Sequence, residues 1–226
     1  MDDVVLAATS TPDVLSGRQG RLGRIRLNRP RVINALTTDM VRAVTAELAR
    51  LAGEGVEAVL LDGAGDRGLC AGGDVRAVRE AVLAGGAAAA EFFTAEYEMD
   101  AAVAASPVPV VAWMDGIVMG GGVGVSVHAR LRLVTHRTRL AMPETLIGFF
   151  PDVGALWWLS RCPGESGTRM ALTGAAVGGA DAVAMGLADR LVESDELAEL
   201  VRRGAAGEPL AGLGRGPDEV ESPWLG

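Results

Sequence analysis

The sequence predicts an α/β chain. Short apolar runs of strand length alternate with longer segments at helical spacing. Two of those runs end in glycine clusters. The longest unbroken apolar run, Pro107–Met114, has the length of a buried strand and falls well short of the ~20 residues of a membrane span.

The elements follow in order. Leu22–Leu27 alternates apolar and basic residues and reads as a strand, and Asn28-Arg29-Pro30 ends it because proline cannot continue a central strand. Thr37-Thr38-Asp39 caps a helix on which Val41, Val44, Leu48 and Leu51 recur at helical spacing. Val56–Asp62 is a short apolar strand closing at Asp62-Gly63, followed by a turn over residues 63–68 and Leu69-Cys70-Ala71-Gly72-Gly73-Asp74. Residues 75–105 are Ala-rich and helical, with a break expected at Gly85-Gly86. Val108–Met114 reads as the next strand, with Asp115-Gly116 and Gly120-Gly121-Gly122-Val123-Gly124 behind it, then an apolar stretch to His128. Leu131–Val134 reads as a further strand, and two or three short helices span residues 153–186. Residues 1–194 read as the core. Residues 195–226 read as a short helix and a tail rich in Gly, Pro and acidic residues, expected to be weakly ordered or ordered only by docking.

The 226 residues suit one large domain or two small ones, and 49% hydrophobic with 22% charged residues is a core-forming composition. A net charge of −8 argues against nucleic acid as a partner. It leaves room for an anionic ligand, since local arginines or backbone N–H groups bind phosphate on an acidic protein. Two cysteines, Cys70 and Cys162, imply no disulfide framework, and a reducing cytoplasmic location is the expectation. Neither has metal-site spacing. Met1-Asp2-Asp3 lacks the charged-then-apolar order of a signal peptide, and no membrane association is expected.

Glycine removes the Cβ and lets a ligand approach backbone N–H groups. Gly72-Gly73 and Gly120-Gly121-Gly122 each follow an apolar strand, and the second cluster sits where a helix should begin. Two such N–H donors from separate loops would make an oxyanion hole; either cluster alone reads equally as a tight turn with close helix packing. No Gly-Lys-Ser/Thr follows, and the spacing fails the dinucleotide fingerprint at its third glycine. Glu144 and Asp152 lie in the apolar strings Met142-Pro143-Glu144-Thr145 and Phe149-Phe150-Pro151-Asp152. Apolar surroundings raise a carboxyl pKa and suit acid–base work, and a turn at Gly148 would let both face one site; helix or turn caps are the plainer reading. His128 and His136 read as core or surface residues.

Taken in order, Leu27-Asn28-Arg29-Pro30 with Asn34-Ala35-Leu36, Cys70-Ala71-Gly72-Gly73-Asp74, Asp115-Gly116 with Gly120-Gly121-Gly122, Pro143-Glu144 and Pro151-Asp152 resemble the crotonase (enoyl-CoA hydratase/isomerase) superfamily. Within it, the strings over residues 92–97, 119–127, 141–145 and 147–154 are most similar to the 3-hydroxyisobutyryl-CoA hydrolase family. The resemblance implies a spiral of ββα turns with two nearly perpendicular sheets surrounded by helices. It implies Gly73 and Gly121 N–H groups on a thioester oxygen, Glu144 as main catalytic carboxylate and Asp152 as its partner. Glu96 would contact substrate, and Gly72, Ala71, Arg29 and Val32 would lie along the coenzyme A path. No cofactor or metal is implied, coenzyme A being part of the substrate. A homotrimer or hexamer is the implied assembly, and the chain reads as shorter at its C-terminus than those hydrolases. Hydratases of the superfamily carry a second catalytic Glu where this chain has Gly124, which turns the expectation from hydration toward thioester hydrolysis. A hydratase or isomerase, or a non-catalytic acyl-CoA-binding paralogue, are the alternatives.

Overall fold

The computed structural model describes residues 5–224; Met1-Asp2-Asp3 and the last two residues of the tail lie outside that range. In chain order the elements are β1 (Ala7–Ala8), β2 (Val14–Gln19), β3 (Leu22–Leu27), α1 (Thr38–Gly53), β4 (Ala58–Gly63), β5 (Gly68–Cys70), α2 (Val75–Leu83), α3 (Ala87–Ala104), β6 (Val110–Met114) and β7 (Ile117–Met119). There follow α4 (Gly121–Val127), β8 (Leu131–Thr135), β9 (Arg139–Ala141), α5 (Ala155–Leu159), α6 (Ser166–Thr173), β10 (Val177–Gly178), α7 (Gly179–Ala184), β11 (Arg190–Val192) and α8 (Leu197–Ala206).

Two sheets share these strands. One has the order β1-β2-β3-β4-β6-β8-β11 and the other β10-β9-β7-β5. From β3 to β11 the first sheet is parallel, as is the run β5, β7, β9 in the second. The chain therefore lays one strand in each sheet, crosses by helix and repeats: the expected spiral of ββα turns. The five residues of β6 are all buried because each face of its sheet is covered. Val110, Ala112 and Met114 point into the main core, while Val111 and Trp113 join a smaller one with Leu22, Leu60, Leu133 and Leu200 of α8.

The local chemistry follows the sequence closely. Thr37 caps α1 by accepting from the Met40 N–H, and Met40, Val41, Val44, Leu48 and Leu51 form its buried face. The break at Gly85-Gly86 separates α2 from α3, with Gly86 in the left-handed region at φ 83°. Arg24 and Arg26 of β3 both pair with Asp62 of β4, whose side chain is 1% exposed. That pairing explains the basic alternation in β3. The strands expected over 56–62 and 108–114 each begin two residues later, at Ala58 and Val110. The tail is ordered by docking: Arg215 bridges Leu191, the Ser222 hydroxyl donates to Asp181, and the Arg169 guanidinium lies 4.4 Å over Trp224.

Candidate active site

The first glycine cluster is placed by the loop after β3. Asn34, fully buried at φ 54°, accepts from the Arg29 N–H and donates to the carbonyls of Ala64, Gly68 and Leu69. This clamps the loop against the end of β5. Leu36 then pairs with the glycines: its N–H donates to the Gly72 carbonyl at 2.8 Å, and its own carbonyl accepts from the Asp74 N–H at 2.9 Å. Backbone groups alternate in direction along an extended segment, so the N–H of Gly73, between those two bonds, faces away from Leu36.

The second cluster comes to meet the first. Gly72, at φ 102°, lies so close to the second loop that a Cβ there would sit 3.0 Å from the Met119 carbonyl and 3.4 Å from Gly121 N. Gly120 caps α4 with φ 52°, and Gly121 is the first helical residue, whose N–H has no intrahelical acceptor. Among the described residues neither the Gly73 nor the Gly121 N–H has an acceptor.

Carboxyl groups surround these donors. Glu144 opens a 3-10 turn over Glu144–Ile147 that Gly148 ends in the left-handed region, so the chain doubles back toward Asp152, as the spacing suggested. Glu144 Oε1 lies 2.8 Å from where a Gly120 Cβ would be, and Oε2 has no partner. Burial, with Asp152 adding to it, pushes Glu144 up to about 7. Burial also raises Asp152, against the Tyr97 hydroxyl that donates to its Oδ2 at 2.8 Å. From α3, Glu96 and Asp100 project one turn apart, 3% and 5% exposed. Glu96 Oε1 rests directly against Gly121, and burial first, then Asp152 and Glu144, lifts this carboxyl to about 8. Burial followed by Glu96 and Asp152 carries Asp100 to about 9, and both its oxygens lack partners. Burial thus favours the protonated form of all four carboxyls, most strongly in Glu96 and Asp100, with Glu144 nearer neutrality. Among the described residues no cluster could hold a metal ion.

Thus Glu144, Asp152, Glu96, Gly72, Gly73 and Gly121 converge. Ala71 adjoins them, its N–H bound to the Ile33 carbonyl. The Arg29 guanidinium donates to Ala35 O and pairs with Asp74 and Asp13. Val32, 45% exposed, sits on the neighbouring 3-10 turn. Asp100 and the hydroxyl of Tyr97 escaped the sequence reading. The available signal was two carboxylates four apart on a helix face otherwise made of Phe92, Met99 and Val103. Aromatic rings border the site, with Phe93 stacked on Phe149 at 5.7 Å and Tyr97 beyond Phe93.

Fold and site together define a protein built on two glycine-loop N–H donors beside buried carboxyl groups. The enoyl-CoA hydratase/isomerase family pattern matches residues 22–211, and the chain belongs to that family. It is 43% identical over 192 residues to a mitochondrial 3-hydroxyisobutyryl-CoA hydrolase of Gallus gallus, covering 84% of this chain and 50% of that one. The corresponding Homo sapiens protein is 42% identical over 189 residues, 83% and 49% of the two chains. The chain spans about half the length of the curated relatives it matches. Among solved structures, a carnitinyl-CoA dehydratase from Mycobacterium thermoresistibile superposes with a TM-score of 0.87 at 47% identity, over 94% of this chain and 63% of that one. An enoyl-CoA hydratase from Rhodobacter sphaeroides gives 0.85 at 41%, over 90% and 60%.

Proposed function

We propose that this chain carries the thioester-cleaving site of a 3-hydroxyisobutyryl-CoA hydrolase. The observation that carries the reading is the juxtaposition of buried Glu144 with two unpartnered glycine N–H groups, on an α4 that bears no side chain at position 124. The Gly73 and Gly121 N–H groups form an oxyanion hole for the thioester oxygen, each donor contributing about 3 kcal/mol to the transition state. Glu144, poised near neutrality by burial, attacks the carbonyl carbon or takes a proton from the attacking water. The carbon–sulfur bond breaks and coenzyme A leaves as the thiol, taking the proton that Glu144 removed from water. Where Glu144 attacks directly, water then hydrolyses the acyl–glutamyl anhydride, frees the acid and supplies the thiolate's proton. Glu96, whose protonated form burial favours, and the Tyr97–Asp152 pair meet the acyl hydroxyl. The identity to hydrolases of that name over most of this chain supports the assignment.

The test is thiol release from 3-hydroxyisobutyryl-CoA, run beside loss of the enoyl chromophore of crotonyl-CoA. Glu144→Gln is expected to abolish thiol release while coenzyme A binding survives. Turnover that persists in this variant sinks the assignment. Consumption of crotonyl-CoA without thiol release points instead to hydratase chemistry, as in the name of the Rhodobacter sphaeroides structure.

A further inference from the structure

One side chain outside the carboxyl cluster is tied to it through the backbone. His128, the C-cap of α4, places Nε2 2.9 Å from the Val153 carbonyl, and the Trp158 indole N–H lies 3.3 Å from its Nδ1. An indole nitrogen only donates, so Nδ1 is the acceptor. The neutral imidazole then carries its proton on Nε2 and donates it to Val153. Trp158 is itself held, with the Arg132 guanidinium 4.7 Å over its ring.

The residue so gripped is unusual. Val153 is β-branched, 4% exposed and sits at φ 47°, a left-handed conformation that such a residue adopts only under constraint. Gly154 follows at φ 75°, and a Cβ there would lie 2.7 Å from the His128 ring. The backbone has thus been left open for the imidazole. Val153 immediately follows Asp152, whose carboxylate accepts the hydrogen bond of the Tyr97 hydroxyl. His128 also lines a surface cavity of about 400 Å³, so it is not a mere core filler.

We propose that His128 is a positioning residue for Asp152: its imidazole, fixed as the Nε2–H tautomer by Trp158, holds Val153 left-handed and so aims the carboxylate at Tyr97 and the acyl pocket. The role in turnover rests on the hydrolase reading; the positioning does not.

Tyr97 is the sole tyrosine of the chain. Labelling tyrosine with carbon-13 at Cζ therefore gives a single resonance that reports the Tyr97–Asp152 hydrogen bond at neutral pH, with no turnover required. His128→Leu is expected to move this resonance toward its position in Asp152→Ala and to lower kcat about ten-fold with KM little changed. His128→Gln, whose side-chain N–H reaches the same carbonyl, is expected to restore both. An unmoved resonance in folded His128→Leu overturns the proposal. Should His128→Leu fail to fold, Trp158→Phe removes the indole donor that sets the tautomer and keeps a ring under Arg132: a shifted or doubled resonance supports the proposal, and an unchanged one overturns it. A wild-type chain that releases no thiol defeats the hydrolase reading, while the Tyr97 resonance still decides this one.

Discussion

Asp100→Asn should stabilise this protein at neutral pH and destabilise it in acid. Asp100 is 5% exposed, both its oxygens are unpartnered, and burial lifts it from 3.8 to about 9. Below pH 3.8 the folded and unfolded chains both hold the proton, so the group contributes nothing to the pH dependence. Between the two values the folded chain keeps a proton that the unfolded chain has released. Stability is therefore lost as pH rises, by about 1.4 kcal/mol per unit, reaching about 4 kcal/mol by pH 7. Asparagine matches the shape and never ionises. Its amide is left unpaired, at a cost of about 1 kcal/mol, the low end of the range because the neutral acid is unpaired as well. The net expectation is a gain of about 3 kcal/mol at pH 7 and a loss of about 1 kcal/mol at pH 4, with the sign changing between. Urea unfolding of both proteins at pH 4, 7 and 8.5 measures this directly. A difference that is flat with pH, or a destabilised variant at pH 7, refutes the placement of Asp100 as a neutral buried acid.

Two further outcomes follow from the same geometry. Asp152 is one of the groups that raise Glu144, so Asp152→Asn should shift the acid limb of kcat/KM below its wild-type position near pH 7, even as kcat falls. A pH–rate profile whose limb stays put or moves up contradicts the coupling. Asn34→Ala strips the partner from the Arg29 N–H and from three carbonyls at the end of β5, and should cost about 2–4 kcal/mol in denaturant unfolding. A loss under about 1 kcal/mol means that the loop carrying the first glycine cluster is held by something else.

What the sequence made legible was whatever is decided locally. Thr37 announces its own helix by capping it. The glycine pair at 85–86 breaks a helix wherever it stands, and β6 reads as a strand buried on both faces because nothing polar interrupts it. Glu144 and Asp152 could be brought together on paper because one turn at Gly148 suffices. The second ring of the site was invisible for the opposite reason. Asp100, Tyr97 and His128 act on residues 24, 55 and 25 positions away, through packing that no local pattern encodes. Position 29 shows the same limit from the other side. The resemblance puts Arg29 along the coenzyme A path, and nothing in the local pattern hints that its guanidinium is engaged within the fold by Ala35, Asp74 and Asp13.

Gly124 illustrates why both levels are needed. In sequence it is an absence: no carboxylate stands where a hydratase of the superfamily carries one. In the structure that absence is occupied. A Cβ at 124 would lie 2.7 Å from the Val153 side chain and 3.0 Å from each oxygen of Asp100, just as one at Gly121 would collide with Glu96. Positions 121 and 124 share a face of α4, and 96 and 100 share the opposing face of α3, so two carboxyls lie against a bare glycine stripe. The glycines are there to seat them. A glutamate at 124 would therefore do more than supply a second acid. It would have to displace Asp100 and push on Val153, the residue that His128 holds next to Asp152. A side chain at position 124 is thus a matter for two packed helices and the loop behind them, and on the proposed hydrolase reading Gly124→Glu should disturb Asp100 and Val153 before it adds a second acid.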